Sequence, residues 1–165
     1  MNKKKFIIIC LALVFIVFTG FAFRLVNSLK KLGTIETQEN VSDLSQLPSW
    51  VNVPDSAKNI SYLQIFWLYN SYEFDISEEE FLDWAKEWPV HKITEPITVM
   101  RYTRYILPQP NRDDRDAVDE YESNVFHKIS NGHYYYKENE NRNGGGICVA
   151  YDTDKQRAYF SFAFR

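Results

Sequence analysis

Cysteine and histidine are scarce in this sequence, which contains two cysteines and three histidines. Cys10 lies inside a long apolar run, so it is not available to Cys148, and no intrachain disulfide is expected. The domain that contains Cys148 must therefore be stable through packing alone. His91, His127 and His133 are too few and too widely spaced for a zinc site. The sequence predicts neither a metal nor a cofactor.

Acidic residues are absent from positions 1–33, which contain six Lys or Arg residues. Positions 34–165 contain thirteen Lys or Arg residues and twenty-two Asp or Glu residues. The formal net charge of −3 thus combines +6 in the N-terminal part with −9 in the rest. The phosphate backbone of a nucleic acid would repel this acidic part, so nucleic-acid binding is not expected. A basic partner is favoured, because opposite fields speed encounter.

One long hydrophobic run is present, at residues 6–23, and it contains no charged side chain. As a helix it would measure about 27 Å, close to the bilayer hydrocarbon thickness of roughly 30 Å. The run is apolar all round and lacks the polar face of a helix in a soluble protein. We predict an uncleaved transmembrane anchor over residues 6–23, after a short cytoplasmic tail at residues 1–5.

The same region has features of a cleaved secretory signal. Residues 3–5 are lysines, and Gly20 and Ala22 are small residues at the spacing of a cleavage site. The bulky Phe21 and Phe23 favour retention over cleavage. A retained segment makes this a single-pass protein of the inner or plasma membrane, whereas cleavage would make it a secreted protein.

The orientation of the anchor follows from the length of its flanks. Three basic residues lie on each side of the run, so the positive-inside comparison is even. The tail of residues 1–5 is short and no second apolar run follows, which favours an exported C-terminal part. Residues 33–46 are polar and without apolar periodicity, and we predict a juxtamembrane tether over residues 24–46. Residues 47–165 are long enough for one extracytoplasmic domain with its own core.

One helix is predicted in the stretch "DISEEEFLDWAKEWP". Ser77 is the expected N-cap, and Glu80 three residues later completes a capping box. Pro89 ends the helix. The apolar stripe at helical spacing consists of Phe81, Trp84, Ala85 and Trp88. We interpret this stripe as part of the core.

Residues 60–76 are rich in aromatic and β-branched side chains and predict one or two strands, and residues 96–107 predict a further strand.

A first C-terminal hairpin is predicted around the Asn-Gly pair at 131–132, a dipeptide typical of two-residue loops. This loop would pair Ile129 with Tyr134. It would also place His127 and His133 on opposite faces of the hairpin, which argues against a shared metal.

A second hairpin is predicted with a four-residue loop at residues 153–156, which pairs Asp152 with Arg157 and Val149 with Phe160. The face assigned to the core holds Ile147, Val149, Tyr151, Phe160 and Phe162. The face left outside the core holds Cys148, Ala150, Tyr159 and Ser161.

Together the predicted helix, strands and hairpins indicate a single small α+β domain, in which a helix packs on an antiparallel sheet that ends in a C-terminal β-meander.

Two motif-like stretches fail as ligand sites. Residues 111–120, "NRDDRDAVDE", resemble an acidic calcium loop, but Arg115 stands at a ligand position and Asp116 where glycine is required. We interpret them as a solvated turn or helix start. Residues 141–147, "NRNGGGI", lack the Lys-Ser/Thr pair of a phosphate loop and are interpreted as a hairpin loop.

No catalytic motif is found, and the weak alternative is a set formed by Cys148, His133 and Asp152. The apolar neighbours Val149 and Ala150 favour an inert, half-buried thiol over a nucleophile. We therefore predict a non-catalytic interaction module of the cell envelope, either an assembly accessory or an inhibitor of the immunity type. The alternatives are a small-molecule or glycan-binding domain, or an enzyme with an unrecognised site.

Overall fold

The computed structural model of the chain describes residues 17–27, 29–30, 32–140 and 145–164. The chain forms two compact units, Met1–Thr34 and Ile35–Arg165. In the first unit, residues 17–27 and 29–30 are helical. Residues 6–16, which are most of the predicted membrane span, lie outside the described residues. Across the part of the chain that is described, no helix is long and apolar enough to cross a membrane.

The second unit is a small α+β domain with a mainly antiparallel β architecture. Its described strands are β1 (Ile35–Val41), β2 (Lys58–Ile65), β3 (Tyr69–Asp75), β4 (His91–Lys92), β5 (Ile97–Met100), β6 (Phe126–Ile129), β7 (Gly132–Glu138), β8 (Gly146–Asp152) and β9 (Arg157–Ala163). Within the described residues, seven of them form an antiparallel sheet in the order β1-β2-β3-β9-β8-β7-β4, and β5 pairs with β6 separately. The helices are α1 (Glu78–Trp84) and α2 (Arg115–Val125), with short 3-10 helices at Leu44–Gln46, Ala85–Glu87 and Tyr102–Tyr105.

The folded domain begins earlier than the sequence predicted. Residues 24–46 were expected to be a tether, but β1 pairs with β2 from Ile35, which lies opposite Ile65. The compact unit therefore starts at Ile35 rather than at residue 47. Since β1 is an edge strand with six exposed residues, it joins the sheet through backbone hydrogen bonds and shows no apolar alternation.

The helix α1 has the start that the sequence predicted, but it ends at Trp84 rather than at Pro89, and the 3-10 turn Ala85–Glu87 follows it. The Ser77 hydroxyl accepts from the Glu80 backbone N–H, and the Glu80 carboxylate accepts from the Ser77 N–H, which is a complete capping box. Phe81 is fully buried and its ring stacks on that of Tyr151 at 4.7 Å. Trp84 is only half-buried. The stripe therefore attaches α1 to one face of the large sheet, which we call the helix face.

The opposite face of the sheet, which we call the hairpin face, is also covered. The β5–β6 pair packs on it, so that Val99 and Ile129 cluster with Ala150 and Tyr159. The sequence left Ala150 and Tyr159 outside the core, yet Ala150 is 0% and Tyr159 is 5% exposed. That assignment was wrong because a second, non-adjacent layer closes this face. The core assigned to the helix face, with Val149 and Tyr151, is confirmed.

The two predicted hairpins have opposite outcomes. The β8–β9 hairpin has the predicted register, with Asp152 opposite Arg157. The hairpin at 131–132 does not form, since β6 pairs with β5 while β7 pairs with β4 and β8. Gly132 is instead needed because β8 lies so close: a Cβ at this position would lie 1.8 Å from the Tyr151 carbonyl oxygen.

The other predicted elements agree with the structure. Residues 60–76 form β2 and β3, and β5 lies within residues 96–107. Residues 111–120 are a turn and the start of α2, whose N-cap is Asp114. The glycine-rich stretch lies partly outside the described residues, because its first four positions, 141–144, are not described.

Candidate functional site

The weak catalytic set of the sequence is not brought together. His133 faces α1, with its ring 6.3 Å from that of Phe81. Cys148 lies on the hairpin face, where it clusters with Val99 and Ile129. Asp152 contacts His127 rather than His133. The residues therefore lie on two faces of the sheet and provide no nucleophile with an adjacent base.

Cys148 has the environment of a structural thiol. Burial raises its pKa to about 12, although a hydrogen bond with Ser161 opposes this shift. A thiol with such a pKa is almost entirely protonated near neutral pH, and the thiolate is the reactive form. The predicted inert, half-buried cysteine is consistent with this geometry.

His133 connects α1 to the end of the sheet. Its Nε2 lies 2.7 Å from the Glu78 carboxylate, whose other oxygen accepts from the Thr153 hydroxyl at 3.5 Å. Glu78 is in the first turn of α1, where a carboxylate also stabilises the helix dipole. The contact fixes where α1 begins over the sheet.

His127 connects the β5–β6 pair to the large sheet. Its Nε2 lies 2.6 Å from one Asp152 oxygen, and its ring stacks on that of Tyr159 at 5.3 Å. The other Asp152 oxygen accepts from the backbone N–H groups of Asp154 and Lys155. Both carboxylate oxygens of Asp152 are therefore engaged in holding the fold.

A second buried carboxylate on the hairpin face was missed at the sequence level. Glu73 is 1% exposed and lies between two guanidinium groups, with Arg101 at 2.7 Å and Arg157 at 3.1 Å. The hydrogen bond to Glu73 raises the pKa of Arg101. Arg157 also pairs with Asp75. Because each charge in this cluster has an opposite partner, we interpret it as a structural ion network.

A groove of about 730 Å³ lies along α1. One wall is the loop at residues 52–56, and the other is α1 with the 3-10 turn that follows. We call it the acidic groove, because its lining includes the carboxylates of Asp55, Glu79, Glu80, Asp83 and Glu87. The lining also contains one basic residue, Lys86, which pairs with Asp83 at 3.3 Å.

Local sequence explains why the groove is both acidic and aromatic. Trp84 and Trp88 belong to the stripe that packs on the sheet. The carboxylates of Glu79, Asp83 and Glu87 lie off this stripe and are exposed to solvent. The Trp84 indole N–H donates to the Asn52 carbonyl at 3.0 Å, which holds the loop wall against the helix. Hydrogen bonds from Ser77, with a smaller contribution from Ser56, lower the pKa of Glu80. These hydrogen bonds therefore favour the ionised form of Glu80.

No protein-family model, curated protein or solved structure matches this chain. The fold and the groove define a small α+β domain with an acidic, Trp-lined surface.

Proposed function

We propose that the protein is a non-catalytic interaction module of the cell envelope, tethered to the membrane, and that the acidic groove binds a basic segment of a partner protein. The observation that carries the proposal is the groove itself, where five carboxylates and one lysine surround two tryptophans. The tether is supported by the uncharged run at residues 6–23, which has the length of a membrane span.

The groove has the chemistry to bind Lys and Arg side chains. Glu79 is exposed on α1, Glu87 on the 3-10 turn that follows it, and Asp55 on the facing loop. Their carboxylates can accept hydrogen bonds from ammonium and guanidinium groups. Trp84 and Val53, both half-buried in the groove, offer apolar surface to the aliphatic stems of such side chains.

The charge of the whole domain supports the same kind of partner. Residues 34–165 carry a formal charge of −9, which would attract a basic protein over several Å before contact. An assembly accessory and an immunity-type inhibitor would both use such a surface, and the latter would bind a basic toxic or lytic enzyme. In either case binding depends on surface charge, so it should weaken as salt rises.

A glycan-binding domain is the second candidate, because tryptophans line the groove. Sugars stack on the exposed flat face of an aromatic ring. The Trp84 ring instead has close ring contacts with Phe74 at 5.3 Å and with Trp88 at 5.1 Å, in edge-on and tilted arrangements. The carboxylates are the more accessible part of the groove, which favours the basic protein partner.

The test compares two double variants of the full-length protein, isolated by crosslinking and pull-down from its own membranes. Glu79→Gln with Glu87→Gln removes two charges from the groove. Glu120→Gln with Glu122→Gln removes two charges from α2, where both side chains are exposed. We expect the groove variant to lose the partner and the α2 variant to keep it.

Equal recovery of the partner by the two variants would contradict the proposal. Recovery of a partner that survives high salt would contradict the electrostatic part of it. Binding of soluble oligosaccharides to the wild type, abolished by Trp88→Ala but not by the double Gln variant, would favour the glycan alternative.

A further inference from the structure

One end of the large sheet carries an exposed apolar surface, which we call the aromatic tip. It consists of Ile35, Phe66, Trp67, Tyr105, Ile106 and Phe164. Trp67 is 59% and Ile35 is 52% exposed, although both are large and hydrophobic. Such side chains clustered on one surface indicate a contact with another apolar body.

Several contacts place these residues at the same end of the sheet. Ile35 pairs with Ile65, the last residue of β2, and the β2–β3 turn with Phe66 and Trp67 follows directly. The Phe164 N–H donates to the carbonyl of Leu68, the last residue of that turn, at 3.0 Å. On the hairpin face, the Tyr105 ring lies 5.1 Å from that of Tyr69, the first residue of β3.

The turn presents Trp67 in a conformation that tryptophan rarely adopts. The Leu68 N–H donates to the Ile65 carbonyl at 2.8 Å, and Trp67 at the third turn position has a φ of 66°. Glycine or asparagine is typical of this position, because an L side chain is strained there. Because the Trp67 side chain is mainly exposed, contacts within its own domain offset little of this backbone strain. The strain therefore indicates that Trp67 contacts something outside the domain.

The chain enters the domain at this tip. Ile35 is the first residue of the second unit, directly after the unit that contains the predicted membrane span. Residues 24–34 connect the end of the predicted span to Ile35, and even fully extended they would reach less than about 40 Å. Along the chain, the tip is thus the part of the domain nearest to the predicted span.

We propose that the aromatic tip contacts the lipid bilayer that holds the N-terminal segment, with Trp67 at the headgroup level. This proposal depends on the membrane tether of the proposed function. Trp and Tyr rings prefer the membrane–water interface, because one end of each ring is apolar and the other is polar. The Arg104 guanidinium lies 5.8 Å from the Tyr105 ring centroid and would face lipid phosphates.

The distribution of charge supports a lipid partner at this end. At the opposite end of the sheet, the last paired residues of β3, β9 and β8 are Asp75, Arg157 and Asp152. The helix α1 begins at this end, and its first turn is acidic. At the tip end, the exposed Glu36 follows Ile35 on β1, and Glu138 pairs with Gly146 on the β7 flank, well across the sheet. The tip therefore carries fewer acidic side chains than the far end of the sheet, where the acidic groove starts.

The test uses the full-length protein in phosphatidylcholine vesicles whose acyl chains carry bromine near the headgroup. Bromine quenches indole fluorescence at short range, and the other tryptophans, Trp50, Trp84 and Trp88, are half-buried in the domain. We expect strong quenching of the wild type, loss of most of that quenching in Trp67→Phe, and little change in the matched Trp88→Phe variant.

Three results would overturn the proposal, and vesicle flotation tells them apart. Protein that floats with the vesicles but shows the same quenching in Trp67→Phe and wild type would overturn the lipid contact alone. Protein that does not float would overturn the tether and the lipid contact together. A Trp67 emission that shifts to the blue with protein concentration, without bromine quenching, would assign the tip to a second copy of the chain.

Discussion

The chemistry of single residues in this domain is set by which layer covers them. Cys148 is the clearest example, because its strand was predicted correctly and its face was not. The sequence indicates a half-buried thiol from the apolar neighbours Val149 and Ala150. The pKa of about 12 arises from burial under the β5–β6 pair, which lies on a distant part of the chain. Residue type and local pattern could not reveal that layer.

The raised pKa of Cys148 predicts a pH dependence of stability. The thiol pKa is about 12 in the folded state against an ordinary value of 9.0, so the folded state holds its proton more tightly. The contribution of the protonated thiol to the free energy of unfolding is therefore complete below pH 9. It is lost as the pH rises from 9 towards 12. Tyr69, whose pKa burial raises from 10.0 to about 12, adds to this loss above pH 10.

Cys148→Ala should remove the decline that begins near pH 9, because alanine has no proton to lose. We expect the wild type to lose up to about 1 kcal/mol of unfolding free energy between pH 9 and pH 10 relative to the variant. Urea unfolding at the two pH values measures the difference. Identical pH profiles would show that the thiol is already solvated in the folded protein.

At the scale of elements, those with a local signal were predicted and those that depend on distant pairing were not. The capping box of Ser77 and Glu80 defines α1 within four residues, and the β8–β9 register follows from one short loop. The Asn-Gly signal at 131–132 is equally local, but the close approach of β8 requires the glycine for another reason. The ion network of Glu73 joins residues on β3, on β9 and beside β5.

The packing of α1 predicts a clear difference between two neighbouring residues. Phe81 is 0% and Leu82 is 39% exposed on the same helix. Phe81→Ala should lower the unfolding free energy by roughly 3–5 kcal/mol, because it leaves a cavity against Tyr151. The matched Leu82→Ala should cost less than about 1 kcal/mol. Chemical denaturation measures both, and similar losses would mean that α1 does not pack through the predicted stripe.

At the scale of the whole molecule, the boundary between the basic and the acidic part of the sequence agrees with the boundary between the two compact units, whereas the predicted start of the folded domain does not. The change from basic to acidic composition near residue 33 coincides with the boundary between Thr34 and Ile35. The sequence nevertheless assigned residues 35–46 to a tether, because an edge strand has no apolar alternation. The acidic groove could not be located from composition, since its two walls are a loop and a helix more than twenty residues apart.

The tether predicts the behaviour of the native protein in membranes. If residues 6–23 are retained, carbonate washing should leave the protein in the membrane pellet, because a spanning helix is not released by disrupting ionic contacts. Intact-mass measurement should show the N-terminal residues present. A mature chain that begins at Phe23 would contradict the anchor and make the domain a secreted protein.

The central claim is that the acidic groove is the surface that contacts a protein partner. The most direct measurement places a photo-crosslinking amino acid at Asp83, whose side chain is 81% exposed in the groove, and separately at Glu120 on α2. Each full-length variant is irradiated in its own membranes. The account predicts a covalent adduct with a basic protein from position 83 and none from position 120. Adducts of equal yield from both positions, or an adduct from position 120 alone, would contradict it.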